Sequence, residues 1–520
     1  MSTVSSVATD PLPWDGRRLA ARLAATGPTR TWRSAYEDDL VVELPTSTPA
    51  DVAVAVTRAR VAQPAWAGRP LVERQRVLLA FHDAVLDRRE ELADLLQYEG
   101  GKARLTAMEE IAHLAMTARY YARISRQVLH DRRGLGMLPV LTRIDKRHVP
   151  LGLVGIIAPW NYPLSPTVSD GLAALVAGNA IVLKPDLQTP YAALAAVDLL
   201  REVGLPDDLW QVVYGAGDQV GPELISQVDY LCFTGSTATG RIVAQQCAER
   251  LIGCSLELGG KNPLLVLDDA DVGAAAAGAV RGSFGNAGQL CVSIERIYVA
   301  DALHDAFTAE LVAKTRTLRL GRSLDYEHEM GSLVSAEQVD RVEEQVEDAR
   351  SKGARVLTGG RRRPDLGPLF YEPTVLADVT EEMDCYAGET FGPVVSIYRV
   401  RDEAEAIERA NDSLYGLNAS VWTSDPVRGR RVAGQLRCGT VNVNEAYGAT
   451  FGSIDAPMGG MKSSGLGRRQ GPDGLLRFVE SQAIGTQSWI PLAPSNGLSP
   501  QTFVAGFTGA LRVLRALGRA

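Results

Sequence analysis

Cysteine is scarce in this sequence: there are six among 520 residues, at 232, 247, 254, 291, 385 and 438, with no C-x-x-C pair and no histidine-rich partner spacing. In a chain this long that pattern excludes a disulfide framework and a zinc site and points to reduced thiols. Long apolar runs are missing too, none approaching the roughly 18 residues of a membrane-spanning helix. The start, MSTVSSVATDPLPWDGRR, has no basic segment leading into an apolar core. These absences predict a cytoplasmic protein with neither an export leader nor a membrane span. Positive charge is also short: 54 Lys and Arg against 62 Asp and Glu leave a net −8, so no basic field exists for nucleic acid. What is present is an ordinary globular composition, 46% hydrophobic and 22% charged, with nothing that points to disorder. A length of 520 residues exceeds what one core organises and predicts two or more domains.

From Asp51 to Gln97 apolar residues such as Val77, Phe81 and Val85 fall at helical spacing, and a further helix is predicted to about Gln127. His82 and His113 lie on these helices with no second ligand at i+4, so both read as packing or surface residues. Met137 to Val149 alternates as a β-hairpin arm. From Leu153 to Leu267 the runs LVGIIAPW, AIVLKPD, LWQVVYG, DYLCFTGS, SLELGG and NPLLVLD alternate with helical stretches. That is the rhythm of a doubly wound parallel sheet, with a nucleotide crevice at its strand C-termini. The alternation resumes from Asp271 to about Arg468, with strands predicted at Ile294–Val299, Val394–Arg399 and Ala419–Trp422, and reads as a second α/β domain.

Two residues stand in unusual settings. Glu257 ends a short apolar strand and is followed by Leu258, Gly259 and Gly260. Cys291 follows an Ala-rich helical run and the small-residue stretch Gly285 to Gln289, which lets backbone approach backbone and keeps space beside the sulfur. A thiol and a carboxylate together can form a thioester and then hydrolyse it. Alone, each has an ordinary reading as a buried small hydrophobe or a strand-end acid. In APWNYP the prolines restrict the backbone around Trp160 and Asn161, whose amide can donate to an oxyanion or cap a turn. The glycines of YGAGDQVG are one residue too widely spaced for a dinucleotide fingerprint. FTGSTATG ends a strand, and Ser236 and Thr237 then open a helix suited to a pyrophosphate, or merely capped. Lys184, at the end of AIVL, can meet a ribose or phosphate or lie solvated at the strand end.

Read together, LELGGKNP (Leu256–Pro263) and GQLC (Gly288–Cys291) resemble the aldehyde dehydrogenase superfamily over roughly Pro45 to Gln482, and the residues around Trp160, Lys184, Cys291 and Tyr415 resemble its succinate-semialdehyde dehydrogenase branch. The resemblance implies a Rossmann-type cofactor domain (1–133 and 152–257) and a second α/β catalytic domain (258–470). It also implies a β-arm for oligomerisation (134–151 and 471–490) and leaves a C-terminal extension (491–520). It makes Cys291 the nucleophile, Glu257 the general base and Asn161, with the Cys291 N–H, the oxyanion donor. Ile157, Trp160, Lys184, Asp186, Leu187, Ser236, Thr237, Leu258, Glu389 and Phe391 become cofactor residues, with no metal.

Relatives that prefer NAD commonly carry Glu where Leu187 stands here, so the expected cofactor is NADP, with NAD possible despite the charge of Asp186. The expected reaction takes succinate semialdehyde to succinate in a homodimer or homotetramer. Against that substrate, two arginines that hold its carboxylate in well-studied relatives are here Ser169 and Gly285. An aromatic or aliphatic aldehyde is therefore the alternative, and a catalytically idle binding relative the alternative of another class. The loop Glu445–Ser453 is expected to line the entrance, and GGMKSSGLGRR (Gly459–Arg469) matches the family's closing motif. Beyond it Phe503, Phe507, Leu511, Leu514 and Leu517 share one helical face, predicting a helix docked on the parent oligomer or lying on a surface.

Overall fold

A computed structural model of the protein describes residues 15–138, 141–489, 491–495 and 497–518. Positions 1–14, which carry most of the stretch read for a leader, lie outside the described residues. Helices Pro49–Ala67, Leu71–Asp87, Arg89–Gly100 and Arg104–Leu129 account for the helical spacing before residue 130.

The first large sheet contains β1 (Leu153–Ile157), β2 (Ala180–Lys184), β3 (Trp210–Val212), β4 (Tyr230–Thr234) and β5 (Gly253–Glu257). The residues of β1 and β2 are all buried, because helices cover both faces of a parallel sheet, and the strands accordingly read as unbroken apolar runs. β1 lies between β2 and β4, and both pairings are parallel. The strand order therefore reverses at β1, and the crevice beyond the C-terminal ends of β1 and β4 is the place where such sheets take ligands.

A second sheet is built from β6 (Asn262–Val266), β7 (Ile294–Ala300), β8 (Arg355–Thr358), β9 (Thr374–Ala377), β10 (Val394–Val400), β11 (Asn418–Trp422) and β12 (Thr440–Val443), in the order β8-β9-β10-β7-β6-β11-β12. Only β8 runs antiparallel to its neighbour. Each sheet has its own buried apolar cluster. Glu257 is the last residue of β5 and Asn262 the first of β6, so the LELGGKNP stretch is the seam between the sheets. A short strand, β13 (Gly465–Leu466), pairs antiparallel with β5, setting Gly465 opposite Glu257. The chain thus returns to the first sheet before position 470, the boundary drawn from the sequence.

The arm is a three-stranded antiparallel sheet of Arg132–Gly134, Thr142–Pro150 and Val479–Gln487. It begins five residues before the hairpin read at Met137, and residues 139–140 of its turn lie outside the described set. Val479–Gln487 pairs with Thr142–Pro150 along its full length while most of its residues stay exposed. The C-terminal helix Pro500–Ala516 is capped by Ser499, stacks Phe503 on Phe507 at 6.1 Å, and buries no residue. Among the described residues no helix is long and apolar enough to cross a membrane.

Candidate active site at the seam between the sheets

Cys291 is delivered by a strained loop. The Ala-rich helix Val272–Phe284, capped by Asp271, ends at Gly285, and Asn286, Ala287 and Gly288 then take left-handed φ values of 51, 54 and 71° in succession. Gly288 is required there, since a Cβ would come within 2.0 Å of the Gly392 carbonyl oxygen. Such backbone persists only when its surroundings over-determine it. Here the Gln289 amide donates to the Asn286 carbonyl and accepts from the Val334 N–H, and Asn262 Nδ2 donates to the Cys291 carbonyl at 2.8 Å.

Asn161 arrives from the other sheet, on the loop that leaves β1. Buried Glu110 accepts from the N–H groups of Leu164 and Ser165, opening the helix Ser165–Ala177, while its other oxygen pairs with Lys102 Nζ at 2.5 Å. With the loop end so anchored, Asn161 Nδ2 donates to the Gln289 carbonyl at 2.9 Å, two residues from the sulfur. Glu257 is buried and its Oε1 has no hydrogen-bond partner among the described residues. Burial pushes its carboxyl up to about 7, opposed by the Arg469 and Arg477 charges and reinforced by Asp170. Burial, with Glu257 and Glu389 near, pushes the Cys291 thiol up to about 12.

Two cavities meet at these three residues. The larger, about 750 Å³, lies over the crevice of the first sheet and is lined by Ile157, Trp160, Lys184, Asp186, Leu187, Ser236, Leu258, Glu389 and Phe391, together with Asn161, Glu257 and Cys291. Lys184 is buried with one hydrogen bond, to the Pro185 carbonyl at 3.2 Å, and burial lowers its pKa. A buried ammonium so poorly satisfied favours an anionic ligand. Asp186 gives Oδ1 to the Gln188 N–H. Ser236 caps the helix Thr237–Glu249 and brings the positive end of its dipole to the same cleft. At the Cys291 end Trp160 and Phe391 meet edge to face at 5.3 Å. Glu389 accepts from the Gly260 N–H at 2.7 Å, and burial beside Glu295 pushes it up to about 7. Thr237 is the sequence-predicted residue that does not line the cleft: its hydroxyl donates to the Ser463 carbonyl, and Thr239, one helical step on, takes the place.

The second cavity, about 50 Å³, lies on the opposite side of Cys291, and Asn161, Thr234, Glu257 and Cys291 line both. Its far wall includes His113, read from sequence as packing or surface. His113 is buried, stacks on Phe451 at 4.4 Å, and lies 2.7 Å from Ser165 Oγ and 2.8 Å from Gln470 Nε2. The Gln470 amide also donates to the Phe451 carbonyl, so its nitrogen faces the imidazole and His113 keeps its proton on Nδ1, toward Ser165. Burial holds its pKa down to about 3, a neutral ring at all working pH values. No local signal marks this residue, because Gln470 is 357 positions away.

The aldehyde dehydrogenase family profile matches residues 25–484. The chain belongs to the aldehyde dehydrogenase family. A Mycolicibacterium smegmatis protein provisionally named an NADP-dependent succinate-semialdehyde dehydrogenase is 51% identical over 474 residues, 91% of this chain and 92% of that one. A Mycobacterium tuberculosis protein with the same provisional name is 50% identical over 93% of each chain. Among solved structures, betaine aldehyde dehydrogenase from Staphylococcus aureus in complex with NAD+ is 32% identical with a TM-score of 0.85, covering 91% of this chain and 94% of that one. An NADP-dependent enzyme of E. coli is 34% identical with a TM-score of 0.84, covering 88% and 95%. As in the family pattern, the loop Glu445–Ser453 reaches the second cavity, through Phe451. Neither position of the family's arginine pair offers a cation. Ser169 lines the cavity with a buried, unpartnered hydroxyl, and a Cβ on Gly285 would lie 3.2 Å from the Tyr447 hydroxyl, which fills that space.

Proposed function

We propose that this aldehyde dehydrogenase oxidises succinate semialdehyde to succinate with NADP, and NAD as a second acceptor, through a thioester on Cys291. The observation that carries the reading is the sulfur standing where the two cavities join, so that a nucleotide and an aldehyde approach it from opposite sides. Lys184, Ser236, Trp160, Glu389 and Phe391 would hold the dinucleotide. When bound, its oxidised nicotinamide supplies the hydride acceptor that turns a thiohemiacetal into a thioester.

The protein's own groups do the rest. With a pKa about 12 in the ligand-free protein, the Cys291 thiol keeps its proton until a base takes it. Glu257, at about 7 and bordering the same space, is that base. The sulfur attacks the aldehyde carbon, and the oxyanion is stabilised by the Asn161 amide and the Cys291 N–H. Glu257 then deprotonates the water that hydrolyses the thioester. The exposed arm strand Val479–Gln487 supports pairing into a homodimer or homotetramer, and a free-thiol nucleophile suits the cytoplasm.

Rates with succinate semialdehyde, benzaldehyde and hexanal, each with NAD and NADP, test the proposal; succinate semialdehyde with NADP is expected to give the highest kcat/KM, and a higher value for either other aldehyde would overturn the substrate assignment. Because Glu257 works as its carboxylate, hydrolysis should fall tenfold per unit below about pH 7 and level off above it, measured as kcat between about pH 5.5 and 9. Replacing Lys184 by alanine should raise the KM for NADP by about 10- to 100-fold, with a smaller change for NAD, since a charge-assisted contact to the 2′-phosphate is lost.

A further inference from the structure

A semialdehyde carries a carboxylate, and both positions where the family pattern supplies arginines to hold it are uncharged here; we infer that Arg469 provides the cation, from the strand turn that follows β13. This rests on the substrate reading above and deepens it. Arg469 is the only lysine or arginine lining the chamber among the described residues, and it shares that space with Cys291, Glu257 and Asn161. It is near enough to influence the charge of both the thiol and the carboxyl.

The charge count favours an anion. Arg469 Nη2 donates to Asp170 Oδ2 at 2.8 Å and to Thr234 Oγ1 at 3.1 Å, while Arg477 bonds the other Asp170 oxygen. The side chains of Arg469, Arg477 and Asp170 are only 10, 8 and 3% exposed. Two guanidinium groups thus share one carboxylate, which leaves one buried positive charge uncompensated, a costly state unless an anion joins it. Arg469 Nε has no partner among the described residues. Glu257, the other acid at hand, is at about 7 and so is only partly ionised at neutral pH.

Size agrees with charge. A four-carbon semialdehyde spans three C–C bonds, roughly 4 Å end to end, which suits a chamber of about 50 Å³ whose two ends are a nucleophile and a guanidinium. Ser169 fits the same account. It precedes Asp170 on the helix Ser165–Ala177 and lines the chamber, and an arginine there would set a like charge beside Arg469.

The test compares kcat/KM for succinate semialdehyde and for butanal, its uncharged four-carbon counterpart, in the wild type, Arg469→Gln and Arg469→Lys. Both substrates should lose rate through the altered field at Glu257. In Arg469→Gln the semialdehyde should lose at least about tenfold more than butanal, chiefly in KM, and Arg469→Lys should recover part of that difference. Equal losses on both substrates would overturn the inference and leave Arg469 acting through Glu257 alone. If Arg469→Gln does not fold, the wild type decides: propionate should compete with butanal where propionamide does not, and equal competition would overturn it. A wild type that prefers butanal removes the substrate reading and this inference together, whereas a wild type that prefers the semialdehyde, with equal losses in the variant, removes the inference alone.

Discussion

Cys291→Ala is expected to reduce aldehyde oxidation by at least about 10⁴-fold, because no other group at the junction of the cavities can form the acyl bond. The other five cysteines cannot substitute. Among them Cys232 is wholly buried with its thiol pushed up to about 12, Cys438 is held at about 11 by burial, and none lines either cavity. The substitution removes one sulfur from a loop whose shape is set by Gln289, Asn286 and Asn262 rather than by the thiol. Thermal stability and NADP binding should therefore survive it, which separates lost chemistry from lost structure. Cofactor reduction followed by absorbance, with cofactor binding followed by fluorescence, checks both halves. Turnover near the wild-type rate would remove Cys291 from the reaction.

Glu257→Gln should act one step later. The amide cannot take a proton from water, so hydrolysis of the thioester should slow by about 10²- to 10⁴-fold. Its shape keeps the seam between β5 and β13, where Gly465 faces position 257 through backbone pairing. A rapid burst of reduced cofactor close to one equivalent per site, then a stalled steady state, is the expected trace. Loss of the burst as well would assign Glu257 to thiol activation, and an unchanged steady state would exclude it as the hydrolytic base. The step in kcat near pH 7 should also vanish in this variant.

The β-strands were legible because parallel strands covered on both faces read as apolar runs. Ile294–Val299 and Val394–Arg399 each end one residue short of the observed strands, and Ala419–Trp422 begins one residue late. The reactive pair was legible because Glu257 and Cys291 lie in stretches whose glycines and small residues have no other purpose. The second cavity was not. His113, Gln470, Arg469 and Asp170 come from segments up to 357 positions apart, and each has an ordinary local reading as a helix or loop residue. Thr237 was misplaced for a related reason: the residue that caps a helix is visible in sequence, but which of the next residues faces a cleft depends on the helix's rotation against Ser463.

The most direct measurement is the mass of the Cys291 peptide from Glu257→Gln protein mixed with succinate semialdehyde and NADP and quenched in acid. The account predicts one succinyl group on Cys291, absent when NADP is omitted. A Cys291 peptide that stays unmodified while reduced cofactor accumulates would contradict it.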